Sequence, residues 1–415
     1  MTRKNAPVAS KGHTPAESEW NPLDLVQEAG ERPSFYFKWG NPSEKTSSGA
    51  PAVPRKQKKK RRLIGSPNPA MERLHTLFKN ELEKAIERMG RENTYTLRYL
   101  PSSTGCVPGS NQLKNIKRHE MGEYFYITDF QNAYQSVDLD RLTVLLVYIF
   151  KYAHWRADYS LRQLARNELA QFAIKDDPLF KGMRSFVNIA FAGLRVQGLA
   201  VGGPLSPYLL NLYCEVYLDS RLRDHFERKE LRSHPEKSVV IGRFVDDLVI
   251  SRGTLISSDA RREIRMMIND AGFQVKHLKS KVLKRSMGTV FITGLGLRSP
   301  PREDDVEEDG VIMEEGILVF PRKKRRRIEG AMKSYLKPVP PRLGSGTSLP
   351  GYWNDSPEQV LGLAAEFVHY YSNVRTPNKS DERTMNLYKQ FLEVAKPHLK
   401  KAFQAMNHRK LAKAT

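Results

Sequence analysis

The chain has 415 residues, 40% of them apolar, enough for a sizeable core and for more than one domain. Its 68 Lys and Arg against 46 Asp and Glu give a formal charge of +22, which points to a polyanionic partner, nucleic acid ahead of an anionic membrane. No apolar run approaches the ~18 residues of a membrane helix and the N-terminus lacks a signal-peptide core, so a cytoplasmic protein without a membrane partner is expected. Cys106 and Cys214 make neither a disulfide framework nor a CxxC site, and the ten His residues show no HExxH spacing.

Residues 1 to about 20 are polar and rich in Pro, Ser and Lys, the composition of a disordered segment. A short helix is predicted next, with Asn21 as N-cap, Pro22 in the first turn and Gly30 as stop. "NPSEKTSSGAPAVP" (41–54) reads as a flexible loop running into the cationic "RKQKKKRR" (55–62). A strand, a Pro-marked turn and an amphipathic helix follow within "RRLIGSPNPAMERLHTLFKNELEKAIERM". "EYFYITDF" (123–130) predicts a strand, and 139–153 and 159–174 predict helices. In "PLSPYLLNLYCEVYLDSRL" (204–222), Ser206 is the expected N-cap of a helix whose apolar face carries Leu209, Leu212, Tyr213 and Val216. "SVVIGRFVDDLVIS" (238–251) predicts two short strands meeting at a tight turn. A polar helix (259–270), a strand near 272–276 and "TVFITGLGL" (289–297) come after it. The acidic "REDDVEEDGVIMEEG" (302–316) then leads to a helical tail that opens with "PRKKRRRIEGAMKSYLK" (321–337).

Asp246 and Asp247 are adjacent carboxylates inside the β-prone run "GRFVDDLVI". They would repel one another and lose hydration unless a cation compensates. A solvated hairpin tip would explain such a pair without any function. Asp129 at the end of a second apolar strand, and the Gly/Pro loop "GLAVGGPLSP" (198–207) before a helix, make the pair more telling. Phosphoryl transfer needs charge neutralisation and in-line positioning, which two hard cations about 3.5–4 Å apart can supply. Mg²⁺ takes oxygen ligands, commonly one or two carboxylates together with substrate phosphates.

The order Asp-x4-Tyr, G-x-x-x-G-G-P-L-S-P and F-V-D-D resembles motifs A, B and C of reverse transcriptases. "RRLIGSPNPAMERLHTLF" resembles the finger motif of the bacterial enzymes. "GCVPGSNQLKNIKRH" is similar to a further conserved stretch of theirs, with Gly105, Gly109, Asn115 and His119 in register. "AGFQVKHLKSKV" resembles motif D, "FITGLGL" the V-T-G segment of retron-type enzymes, and "PRKKRRRIEGAMKSY" the first thumb helix. The likeness covers roughly residues 34 to 400 and is to bacterial reverse transcriptases of the retron, abortive-infection and defence-associated "unknown group" kind.

The resemblance implies an α+β right-hand polymerase with fingers, an antiparallel-sheet palm and a helical thumb. Its divisions would be an N-terminal extension (1–33), fingers and palm (34–300), an acidic linker or hairpin (301–316), the thumb (317–400) and a basic tail (401–415). It implies two Mg²⁺ per site, with Mn²⁺ as a substitute, held by Asp129, Asp246, Asp247 and the Phe130 backbone carbonyl. Tyr134 would be the steric gate against a 2′-hydroxyl, with core packing as the ordinary alternative. Arg62 and Arg55 would grip the triphosphate beside Val201 and Gly202, although any one cation of that run also reads as a solvated charge. Lys279 would protonate the departing pyrophosphate, with Lys276 and Lys281 as rivals. Lys58, Lys59 and Lys60, with Arg322, Lys323, Lys324, Arg325 and Arg326, would hold nucleic acid through its phosphates. Asn115 and His119, four apart on a helix, would hydrogen-bond each other.

The implied reaction is synthesis of cDNA from dNTPs on a dedicated non-coding RNA in antiphage defence. An RNA/DNA duplex would be the bound product, and a second copy or a neighbouring effector a further partner. A template-independent or protein-primed DNA polymerase is the alternative, and a catalytically silent RNA-binding scaffold a third. Val201 departs from the pattern, which has Gln there. The change would favour repetitive or partly untemplated products unless a neighbouring residue has taken over the contact.

Overall fold

The computed structural model describes residues 20–40, 62–88, 97, 100–151, 174–193, 198–230, 239–300, 315–336 and 357–411. The chain splits into two compact units that it enters alternately. One takes Met1–Lys38, Ile64–Arg98 and Val137–Ser206, the other Trp39–Leu63, Tyr99–Ser136 and Pro207–Thr415.

The first unit is mainly helical. Leu74, Phe78, Leu82 and Ile86 recur at helical spacing along the Pro69–Arg88 helix and all are buried. This stripe meets the apolar helices Leu139–Lys151 and Pro178–Ala190, with Phe78 against Phe150, Phe186 and Phe191 at ring distances of 5.8, 4.8 and 5.3 Å. Asp177 caps the Pro178–Ala190 helix by accepting from the Leu179 amide, and the proline at the helix start has no amide to leave unpaired. Strands β1 (Phe35–Gly40) and β2 (Arg62–Pro67) form a two-stranded ribbon. Buried His75 ties the loop before residue 206 to this unit. Its Nδ1 accepts from the Leu205 amide at 3.3 Å, and its Nε2 lies 2.7 Å from the Ala190 carbonyl oxygen.

The second unit is built on β3 (Tyr124–Gln131), with β4 (Val240–Phe244) and β5 (Asp247–Arg252) on one side and β6 (Gln274–Val275) and β7 (Lys281–Lys284) on the other. All four pairings are antiparallel. Centrality explains the composition of β3, which buries Phe125, Tyr126, Thr128, Asp129 and Phe130 instead of alternating strictly. A second antiparallel sheet joins β8 (Val290–Ile292), β9 (Leu295–Arg298) and β10 (Ile317–Val319) in the order β10-β9-β8. One core runs from Phe125 and Val249 through Ile292 and Leu297 to Ile328 of the Arg322–Leu336 helix, Phe367 of Pro357–Tyr371 and Phe391 of Lys379–Leu411. Phe320 sits at its centre, 5.2 Å from the Phe367 ring and 5.3 Å from that of Tyr370.

Several expectations change in detail. The helix expected over 204–222 runs as Ser206–Cys214, a π-helical turn Glu215–Asp219, and Ser220–Glu230. The wider turn carries Asp219 into the interior with no exposure at all. Ser206 opens that helix without capping it, because its buried hydroxyl finds no partner among the described residues. The strand expected near 272–276 shortens to two residues, since Gly272 turns at φ 90° just before it. The segments 1–19, 41–61 and 301–314 lie outside the described residues, as does the helix expected over 159–174 except at its last position. No helix among the described residues is long and apolar enough to cross a membrane.

Because Phe367 joins both rings of this aromatic centre, Phe367→Ala is expected to cost about 3–5 kcal/mol of unfolding free energy, read as a lower urea midpoint.

Candidate active site

The register between β3 and β5 sets Asp129 directly opposite Asp247. Asp246 occupies the tight turn between β4 and β5, and its carbonyl accepts from the Phe130 amide at 3.0 Å. Three carboxylates, one from β3 and an adjacent pair from the β4–β5 hairpin, are thereby gathered at one end of the sheet. Asp129 is buried, while Asp246 and Asp247 are half-buried. Burial, then the charges of Asp246 and Asp129, push the Asp247 carboxyl up to about 6, against the opposing pull of Lys279 and Lys276.

The turn itself is unusual. Val245 has φ 60°, whereas Asp246 is not among the positive-φ residues, the pattern of a type II′ hairpin, which favours glycine at its first central position. A β-branched residue there is strained, so the surroundings must hold it. Arg243, wholly buried, does so. Its guanidinium donates to the Val245 carbonyl at 2.8 Å, to Asn211 Oδ1 at 2.9 Å, and through Nε and Nη2 to the Asp219 carboxylate at 2.8–3.1 Å. The Arg243 amide donates to the Ser102 carbonyl at 2.7 Å, and its own carbonyl accepts from the Thr104 amide at 2.9 Å. Asn211 in turn donates to the Gly105 carbonyl at 2.7 Å. Gly105 must be glycine, because a Cβ there would stand 2.7 Å from the Val245 amide nitrogen and Cγ2. A second pair, half-buried Arg223 with buried Glu215, lies on the same helical segment as Asp219. Burial pushes Glu215 up to about 7 despite that arginine.

On the far side of β3 the short 3₁₀ turn His277–Lys279 and Lys276 just before it bring two ammonium groups to Asp129. Lys276 Nζ donates to Oδ1 and Lys279 Nζ to Oδ2. The hydrogen bond to Asp129 raises the Lys279 pKa and outweighs burial, which lowers it. Tyr134 follows β3 in a turn and is half-buried, and burial, then Cys106 and Asp246, push its phenol up to about 12. Phe130 buries its ring against Phe273, stacked at 5.0 Å. Among the described residues no three His, Cys, Asp or Glu side chains close into a metal cage. An open, oxygen-only set of carboxylates beside a charge excess nevertheless suits Mg²⁺, which completes its octahedron with water and phosphate oxygens.

The reverse transcriptase (RNA-dependent DNA polymerase) family matches residues 53–297, more than half of the chain. The chain belongs to that family. No curated protein matches it. Among solved structures this reverse transcriptase is similar to apo telomerase from Candida tropicalis truncated from its C-terminal domain, with TM-score 0.35, 13% identity and coverage of 57% of this chain and 51% of that one. It is also similar to telomerase from Candida albicans in complex with a TWJ fragment of telomeric RNA, with TM-score 0.36, 12% identity and coverage of 81% and 59%. The chain spans little more than half the length of either telomerase.

In this reverse transcriptase the expected site residues fall into separate groups. Asp129, Asp246, Asp247, Phe130, Tyr134 and Lys279 come together in the second unit. Val201 and Gly202 belong to the first unit, where the Val201 carbonyl accepts from the Gly65 amide at 2.7 Å. Gly202, at φ 96°, has its close approach to the Gly65 carbonyl, which any Cβ would strike. Arg62 opens β2, and Arg55, Lys58, Lys59 and Lys60 lie outside the described residues. On the basic helix, Arg322, Lys323 and Arg326 are exposed, but Lys324 pairs with Glu366 at 2.7 Å. Arg325 turns inward to Asp381, so its charge is spent on the core and a role in holding nucleic acid is corrected. The expected Asn115–His119 bond is not made. His119 Nδ1 lies 2.7 Å from Ser251 Oγ, and the Asn115 side-chain amide finds no partner among the described residues.

Arg243 and Asp219 were missed from sequence. Their signal was a charge of opposite sign in each of two apolar runs, the arginine three residues before Asp246 and the aspartate at the end of "YCEVYLD". Asp219→Ala is expected to cost about 3–5 kcal/mol by leaving the arginine buried and unpaired. The double variant Arg243→Met/Asp219→Leu should recover most of the melting temperature. Nucleotide incorporation should stay low, because no donor then reaches the Val245 carbonyl.

Proposed function

We propose that the protein synthesises DNA from deoxynucleoside triphosphates on an RNA template, using the end of the sheet where Asp129, Asp246 and Asp247 meet. The observation that carries this reading is the register pairing of Asp129 with Asp247 beside the Asp246 turn, in a chain of the reverse transcriptase family. The described parts of 34–300 would serve as fingers and palm, and the helices from Arg322 onward as the thumb.

Asp129 and Asp246 would be the principal holders of two Mg²⁺ ions, with Asp247 and the Phe130 carbonyl completing the set. When bound, such ions activate the attacking 3′-hydroxyl and neutralise charge on the departing phosphates. The chain's own groups do the rest. Lys279 keeps its proton through its hydrogen bond to Asp129, and 60% of its side chain is exposed, so it is free to swing and protonate the pyrophosphate oxygen as it leaves. The Tyr134 ring, fixed by its partial burial, would close the space a 2′-hydroxyl needs. Exposed Arg322, Lys323, Arg326 and Arg327 offer phosphate contacts along the duplex.

The motifs that resemble those of retron and defence-associated enzymes support a dedicated non-coding RNA as template and a role in antiphage defence. The net charge of +22 supports RNA as a stable partner.

Asp129→Asn and Asp246→Asn are each expected to reduce incorporation of radiolabelled dNTPs to background while the circular dichroism spectrum is kept. Incorporation by either variant would remove the carboxylate assignment. Tyr134→Ala is expected to raise ribonucleotide use relative to deoxynucleotides by about ten- to a hundredfold, measured by competitive primer extension. An unchanged ratio would return Tyr134 to packing.

A further inference from the structure

Asp129 is served by two lysines, and they are not equivalent. The Lys276 amide donates to the Asp129 carbonyl at 2.9 Å, which fixes its backbone against β3. Its carbonyl accepts from the Lys279 amide at 2.9 Å and the Ser280 amide at 3.1 Å. Ser280 is fastened in turn to Thr128, with hydroxyl oxygens 2.8 Å apart. The Lys276 side chain is 24% exposed against 60% for Lys279. Lys276 is thus the less exposed ammonium, on a fixed backbone, where water screens its charge less against an entering cation, and Lys279 is the more exposed one.

Three carboxylates and two ammonium groups leave one net negative charge at the end of the sheet. A divalent cation entering with both lysines in place would leave a net positive charge in a half-buried site. If one ammonium leaves, the site is neutral. Lys276 precedes the turn His277–Lys279, and its hydrogen bonds to β3 and to that turn are made by its backbone, so releasing its ammonium leaves this pairing intact.

We propose that Lys276 is the resident counter-ion of Asp129, occupying the carboxylate in the metal-free protein and leaving it when a divalent cation enters. This rests on the reading of the three aspartates as the metal site. Lys276 is here a positioning residue: it keeps Asp129 oriented and its charge compensated before metal arrives, and it sets the cation concentration at which the site fills.

The test is a Mn²⁺ titration followed by electron paramagnetic resonance, without nucleotide or RNA, on the intact chain. Lys276→Met is expected to bind Mn²⁺ at least about tenfold more tightly than wild type, because a like charge beside the ion has been removed. Lys276→Arg should bind like wild type. Unchanged or weaker binding by Lys276→Met would overturn the proposal. Asp129→Asn, run alongside, separates the two readings. If it still binds Mn²⁺ as wild type does, the carboxylate assignment itself fails, whatever Lys276 does. Should Lys276→Met fail to fold, wild-type protein answers through amine-reactive labelling read by mass spectrometry. Lys276 labelling should rise on adding Mn²⁺, and labelling that stays the same would overturn the proposal.

Discussion

The buried ion pair between Arg243 and Asp219 is the interaction on which the acidic site depends. Burying a guanidinium is costly unless its donors are all used, and here they go to Asp219, Asn211 and the Val245 carbonyl. Lysine could not replace it, because a single ammonium lacks the planar fork that reaches three groups at once. Through the Val245 carbonyl the pair braces a turn that valine would not adopt alone, and that turn presents Asp246. Asp219 reaches the arginine because a π-helical turn interrupts the long helix at Glu215–Asp219. A helical irregularity, a buried salt bridge and a strained hairpin therefore form one device.

Above that foundation the site is a problem in charge balance. Strand register forces Asp129 and Asp247 together, and burial with neighbouring charge raises Asp247 to about 6. Lys276 and Lys279 answer from the other edge of β3, so the sheet carries the acids on one side and their partners on the other. Such an arrangement suits a reaction in which charge is brought in, transferred and released, because the protein groups are already organised around it.

The strong positive charge of the chain has more than one use. Within "RKKRRR" the helical period sends Arg325 inward to Asp381, whose other oxygen lies 3.2 Å from the Tyr370 hydroxyl, while neighbours on the outer face stay in water. One arginine of the run thus ties the basic helix to the Lys379–Leu411 helix, Lys324 pairs with Glu366, and the others stay exposed.

The sequence alone determined the element types and the acidic motif. The strand 124–131, the hairpin around residue 245, the helix 258–270 and the basic helix 322–336 follow from local periodicity and turn chemistry, which are properties of neighbouring residues. Asp129, Asp246 and Asp247 were legible because carboxylates in apolar strands demand compensation wherever the strands lie. What answers that demand was decided only in three dimensions. Lys276 seated on Asp129, Gly202 against Gly65, Arg325 turned into the core and Asn115 left apart from His119 all depend on which segment packs opposite. Arg243 and Asp219 are 24 residues apart and belong to different elements, so no local pattern joins them. Their pairing exists because burial in a shared interior leaves each charge no other partner.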